Sequence, residues 1–335
     1  MQRVYITLQG DNKIAIHNLN SETGELTHQE DISTPGGPAP FAVSPDNTRA
    51  YIGLRDVNKM ASFDIDVTSG TLKPTGMVNL ESDPCYVSVD NTGRHLLSAY
   101  YGAGHIAVHP IDEQGALGGA PTEWIATQHR AHCAQTDSTN SYTFLPHVDD
   151  SNAIYQYKFD DKTGYLTPNT PAVIEPPAGY GPRHYVYHPN GQFLYFDNEQ
   201  DSSVTAYKFD SATGTLEALK TLSTLPDDFS GENSNAQIHM NPNGKFLYAS
   251  NRGHNSIAMY SVNDSTGSLT SLGQQPSLGT PRAFGIDPTG KFMLVGGLDN
   301  GDLATYKINP TGTLTHLKTQ PIGDQPMWIH IADPV

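Results

Sequence analysis

The chain has 335 residues, with 19 Lys and Arg against 35 Asp and Glu, a formal net charge of −16. That balance argues against nucleic acid or an anionic membrane as a partner, and no run of about eighteen apolar residues signals a membrane span. Met1 is followed at once by strand-like sequence without an apolar leader, so a cytoplasmic location is expected, and a repeat without linker or low-complexity break predicts one domain over residues 1–335.

The chain opens on alternating apolar and polar residues at 4–8 and again at 14–19, followed by a glycine turn at Gly24. The turn recurs as Gly-x-Leu at Gly70, Gly115, Gly164, Gly214, Gly267 and Gly312, with successive spacings of 46, 45, 49, 50, 53 and 45 residues. Alternating runs such as 154–159 and 204–209 precede it, which is the pattern of strand, turn and strand. A second phrase repeats out of phase, an apolar run closed by a Pro, Asp or Asn-Gly turn: FAVSPDN from Phe41, YVSVDNTG from Tyr86, HYVYHPNG from His184, IHMNPNG from Ile238 and FGIDPTG from Phe284. CAQTDSTN from Cys133 and MWIHIADP from Met327 are degenerate copies, and segments such as AYIGL from Ala50 and FLYAS from Phe246 supply the next strand.

Each repeat therefore predicts four strands, a to d, in about fifty residues, the size of a propeller blade. No window keeps apolar residues at i, i+3, i+4 and i+7 without interruption, which excludes a helical solenoid. The expected fold is an all-β, seven-bladed propeller of four-stranded antiparallel blades. Because the chain starts on strands b, c and d and ends on an a-like strand around Trp328, the C-terminal strand should complete the N-terminal blade and close the ring, removing both sheet edges.

In a propeller, the d-to-a and b-to-c loops share one face and the a-to-b and c-to-d turns share the other. Both glycine turns fall on the second face, with Arg49, Arg94, Lys245 and Lys291 after them in positions expected to be solvated. The first face collects His132, Arg183, His184, Asn235 and Arg282 at the starts of a-strands, and Arg55, Tyr100, Tyr101, Glu199, Asn251 and Arg252 at the ends of b-strands. Four of these arginines, Arg55, Arg183, Arg252 and Arg282, suit an anion gripped by guanidinium forks. The competing reading pairs each arginine with an acid of a neighbouring blade.

At these residues the sequence resembles the seven-bladed propeller lactonases, which include bacterial 6-phosphogluconolactonases and fungal carboxymuconate cyclases. The likeness spans the chain and is carried by GYGPRHYVYHPNG from Gly179, DNEQDSSVTAY from Asp197, LPDDFSGEN from Leu225, TPRAFGIDPTGKF from Thr280 and QPMWIHI from Gln325. It implies catalytic positions at His132, Arg183, Glu199 and Arg282. Arg55, Tyr101, His184, Asn251, Arg252 and Trp328 are then expected to bind a small anionic sugar lactone, Tyr101 as a pocket wall in AYYGAGHI from Ala99. VDDSNAI from Val148 departs from the more basic loop of the phosphogluconolactonase relatives.

Lactone hydrolysis needs an activated water, a donor for the developing oxyanion and an anchor for the distal anion. Arginines near His132 would keep its imidazole neutral, fit to accept a proton, whereas Glu199 beside Arg183 would be a weak base. His132 is thus the expected base, Glu199 an orienting group, and Arg183 and Arg282 divide oxyanion stabilisation and anion binding. The same pocket suits a lactonising muconate isomerase, and a propeller can also serve as a binding scaffold.

No metal or other cofactor is expected. His184 and His188 on a strand lie four rises of about 3.3 Å apart, too far for one ion. Asp197, Glu199 and Asp201 read as a solvated acidic loop in preference to a calcium cluster. No G-x-S-x-G elbow or Walker loop occurs. Cys133 beside His132 points the wrong way for a thiolate nucleophile, and Cys85 and Cys133 are not expected to form a disulfide.

Overall fold

In the computed structural model, which describes residues 1–332, the chain is built from strands and two single-turn 3-10 helices, Arg55–Val57 and Asp149–Ser151. Among the described residues no helix is long and apolar enough to cross a membrane. The strands form seven antiparallel sheets, the blades of a seven-bladed β-propeller. In blade 1 the C-terminal strand Pro326–Ala332 pairs with Gln2–Leu8, Val4 opposite Ile331 and Ile6 opposite Ile329, ahead of Lys13–Leu19 and Leu26–Ser33. The expected joining of the two ends is observed, although the last residues of the MWIHIADP phrase, Asp333 and Pro334, lie outside the described residues.

Burial explains the sequence pattern. Strand b of blade 7, Phe292–Gly297, is buried throughout, and strand b of blade 5, Phe193–Asn198, likewise. Middle strands are covered on both faces by neighbouring blades, so they are buried along their length and mostly apolar, with the polar Asp197 and Asn198 at the end of the blade 5 strand. Outer strands such as Leu72–Asn79 and Leu314–Pro321 are exposed after their first leucine, and that leucine is the one in Gly-x-Leu.

The turn glycines are required for two reasons. Gly214 and Gly267 have φ of 69° and 68°, a conformation that costs a residue with Cβ about 1–2 kcal/mol. A Cβ at Gly267 would also collide with the ring of Phe193 in the preceding blade, and one at Gly214 with Tyr142. Tyrosines of b-strands hydrogen-bond to the same turns: Tyr195 Oη donates to Gly267 O at 3.0 Å and Tyr248 Oη to Gly312 O at 2.9 Å. The repeat is therefore an inter-blade clasp as well as a turn.

One blade departs from the four-stranded expectation. Blade 4 holds three strands, Tyr142–His147, Ala153–Phe159 and Leu166–Ile174. Its a-segment makes only isolated bridges, Ala131 to His147 and Thr136 to Thr143. The segment carries the degenerate CAQTDSTN phrase, and a strand reduced to bridges leaves the backbone around His132 outside a regular ladder. Of the four basic residues after turns, Arg49 is not simply solvated: it is half-buried, 2.9 Å from Asp64, and donates to Gln114 O.

Blades 1, 5, 6 and 7 form one compact unit, and blades 2, 3 and 4 form a second. Within the first, Ile6, Leu294, Leu303, Ile329 and Ile331 join blades 7 and 1, and Tyr195, Ile238 and Leu247 join blades 5 and 6. Within the second, Leu97, Ile106, Ala131 and Leu145 join blades 3 and 4.

Candidate functional site

The first unit concentrates charge at the ends of two b-strands and the starts of the adjoining a-strands. Arg183, on the strand Pro182–Tyr187, is 2% exposed. Its Nε lies 2.8 Å from Glu199 Oε2, although that N–H is not aimed squarely enough at the oxygen to count as a hydrogen bond. Nη1 donates to Ala236 O and, at 3.2 Å, faces His184 Nε2. Glu199 follows the strand Phe193–Asn198, and its other oxygen is 3.1 Å from Arg252 Nη2. Arg252 Nη2 also donates to Asn235 O at 2.5 Å. One carboxylate thus lies between two guanidiniums from blades 5 and 6, one oxygen against each, while both guanidiniums also donate to backbone carbonyls.

Two titratable groups beside this network are strongly perturbed. Burial, reinforced by Arg183, His239, Arg282 and Arg252, holds His184 well below the usual histidine range, so its imidazole is neutral and Nε2 accepts from Arg183. The argument that arginines keep a histidine neutral therefore applies to His184. Asp197 is completely buried. Oδ1 accepts the His184 backbone N–H at 2.7 Å, while Oδ2 has no hydrogen-bond partner. Burial pushes its carboxyl up to about 7 against the opposing pull of Arg183. The expectation of a solvated acidic loop fails for Asp197 because it sits on a middle strand covered on both faces, whereas Asp201 is exposed as expected. Among the described residues no three His, Cys, Asp or Glu side chains are grouped to hold a metal ion.

Trp328 stands 6.2 Å from His184, ring centre to ring centre, and Arg282 adds its charge to the field at His184. Asn251 has a different environment. It is buried, with Oδ1 accepting from Thr224 Oγ1 at 2.7 Å and Nδ2 donating to Thr224 O at 2.9 Å, so its polar groups are spent on the fold. Asn235 joins the same network through Thr224.

In the second unit, His132 is buried, and its ring meets Tyr101 edge-on at 5.9 Å. Its backbone N–H donates to Pro146 O at 3.0 Å. Tyr101 also lines a cavity of about 290 Å³ with Gly102, His129, Arg130, Asp150 and Ser151. The acidic loop after Val148 is partly offset, since Arg130 pairs with Asp149 and lies 3.5 Å from Asp150. Arg55 takes the competing arrangement: Nε and Nη2 grip Asp83 Oδ2 of the neighbouring blade at 3.1 and 2.7 Å. No disulfide joins Cys85 and Cys133.

The whole chain, residues 3–331, matches the family described as lactonase, 7-bladed beta-propeller. The chain belongs to that lactonase family. It is 34% identical to the 6-phosphogluconolactonase of Pectobacterium carotovorum over 332 residues, covering 98% of both proteins, and 33% identical to those of Serratia proteamaculans and Yersinia pestis with the same coverage. Among solved structures, a Lactobacillus plantarum protein superposes with a TM-score of 0.90 at 26% identity, covering 99% of this chain and all of that one. The Pseudomonas aeruginosa periplasmic gluconolactonase superposes with a TM-score of 0.93 at 22% identity, covering 100% of this chain and 99% of that one, and shows the fold.

Within this lactonase, sequence reasoning missed Asp197 as a buried member of the charge cluster and Asp83 as the partner of Arg55. It also passed over Gln237 and His239, two residues apart on the strand Ser234–Met240. Gln237 Oε1 accepts from Phe284 N at 2.9 Å, and His239 Nε2 lies 3.3 Å from the same oxygen. Enclosure by protein lowers His239 to about 4. The available signal was period two: polar residues alternating with apolar ones on an a-strand face one side together.

Proposed function

We propose that this chain hydrolyses 6-phosphogluconolactone to 6-phosphogluconate. Its relatives of that name match it from end to end, and one observation at the site carries the reading. In a chain of net charge −16, Arg183 and Arg252 share the single carboxylate Glu199, Arg282 adds a third cation nearby, and burial raises Asp197 to about 7, so it does not carry a full negative charge at neutral pH. The cluster is net positive, which suits a phosphorylated lactone more than a neutral ligand.

In this reading His132 accepts a proton from water as its oxygen adds to the lactone carbonyl. The tetrahedral intermediate then expels the ring oxygen, which takes up a proton, leaving a carboxylate and a hydroxyl. One of Arg183 and Arg282 stabilises the oxyanion and the other holds the phosphate, while Glu199 fixes the guanidinium geometry. Residues 1–335 act as one domain, and a cytoplasmic location fits both a sugar-phosphate substrate and two cysteines without a disulfide.

The test is a lactonase assay on 6-phosphogluconolactone and unphosphorylated gluconolactone, with spontaneous opening subtracted. The phosphorylated substrate should be preferred, and equal rates on both would remove phosphate recognition. His132→Ala should lower kcat by about 10²–10⁴. If it instead kept full turnover while Glu199→Gln abolished it, the base would be Glu199.

A further inference from the structure

Asp197 has no role in the mechanism above, yet it is the most enclosed acid of the cluster, with no accessible surface. It shares a strand face with Glu199, two residues on. The groups around it come from three strands. Arg183 and His184 lie on the a-strand of blade 5, Glu199 at the end of Asp197's own strand, and Arg252 at the end of the b-strand of blade 6. On its other side it faces Val204 of the c-strand, which is uncharged. One oxygen holds the His184 backbone N–H at 2.7 Å, so Asp197 braces the strand segment that presents Arg183. The second oxygen has no hydrogen-bond partner, leaving it supported as an anion chiefly by the fields of Arg183 and Arg252.

A buried acid without a full hydrogen-bond complement is ionised only while neighbouring cations favour it. An incoming phosphate or carboxylate would draw on the same cations and add negative charge beside them. We propose that Asp197 is a positioning residue that takes up a proton when an anion occupies the Arg183–Arg252 cluster. Protonation removes a buried negative charge from behind the arginines at the moment the ligand needs their full charge, while the backbone hydrogen bond to the other oxygen keeps Arg183 in place. The proton comes from solvent, and no bond other than the carboxyl O–H is formed. The proposal rests on the anion-binding role assigned to the arginines, and it predicts tighter anion binding as pH falls through neutrality.

The experiment is calorimetric binding of 6-phosphogluconate at pH 7 in two buffers of different ionisation enthalpy, with wild type and Asp197→Asn. Wild type should take up a measurable fraction of a proton more than the variant. Proton changes of the ligand itself are common to both proteins and cancel in the difference. Equal uptake in the two would overturn the role of Asp197 while leaving the anion site standing. Failure of wild type to bind 6-phosphogluconate would overturn the anion site, and this proposal with it. If the variant does not fold, infrared difference spectra of wild type decide. The product has no lactone carbonyl and its carboxylate is ionised, so a protonated-carboxyl band should grow on binding, and its absence would refute the proposal.

Discussion

Glu199 is the residue on which the site's geometry turns, because its two carboxylate oxygens each lie against a different buried guanidinium. Arg183 holds that geometry through distinct nitrogens, Nε toward Glu199 and Nη1 toward Ala236 O. Lysine would keep the charge but lose the fork. Arg183→Lys should therefore raise KM for the phosphorylated lactone about tenfold to a hundredfold, the value of one charge-assisted hydrogen bond, and lower kcat as well if Arg183 meets the oxyanion; steady-state kinetics separate the two. At this scale the sequence is uneven. The convergence of Arg183, Glu199 and Arg252 is legible because all three stand at strand ends of one phase. The partner of Arg55 is not, since Asp83 sits in the loop that enters the next blade and nothing in local spacing points to it. Asp197 misleads because an acid in a polar segment reads as solvated, whereas its neighbours on both faces are set only by blade packing.

The four-stranded blade is held by its turns as much as by its ladders. Gly267→Ala would force a left-handed backbone on alanine and press a methyl group into the Phe193 ring. A loss of about 1–3 kcal/mol in unfolding stability is expected. KM should stay unchanged, because Phe193 begins the strand whose other end leads to Glu199; urea melts and kinetics check both halves. The a-to-b turn of blade 3 depends instead on Asp90. Burial would raise its pKa, but hydrogen bonds from His95, Thr92 and Asn140 prevail and hold it well below its ordinary value of 3.8. With the folded pKa below the unfolded one, the stabilisation is complete above about pH 4 and lost as pH falls through the folded value. Asp90→Asn should be less stable than wild type at pH 7 by at least about 2 kcal/mol, and the gap should narrow in chemical melts taken progressively below pH 4. The glycine turns and their period are plain in the sequence. The weak a-segment of blade 4 shows there only as a phrase lacking its proline.

For the molecule as a whole, the critical element is the last strand. Pro326–Ala332 completes blade 1, and Ile329 and Ile331 lie in the core shared with Leu294 and Leu303 of blade 7. Losing two buried isoleucines alone costs about 4–10 kcal/mol, comparable to the whole stability of a typical domain, and bares the edge of Gln2–Leu8. A chain ending before Pro326 should lose its cooperative thermal transition and aggregate, as calorimetry and size-exclusion chromatography will show. The intact chain should unfold in a single transition if residues 1–335 act as one domain.

The period of Gly-x-Leu and the phase of the second turn are local facts. Turn conformation and strand alternation depend on residues within a few positions of each other, and so the blade, the number of blades and the joining of the two ends could be read from the sequence alone. Charge state and pairing depend on what lies across the gap between blades. Burial on both faces raises Asp197, burial beside several arginines keeps His184 neutral, and an acid from the adjoining blade takes up Arg55. Those outcomes come from desolvation and Coulomb forces between residues distant in sequence, which exist only once the blades are packed together.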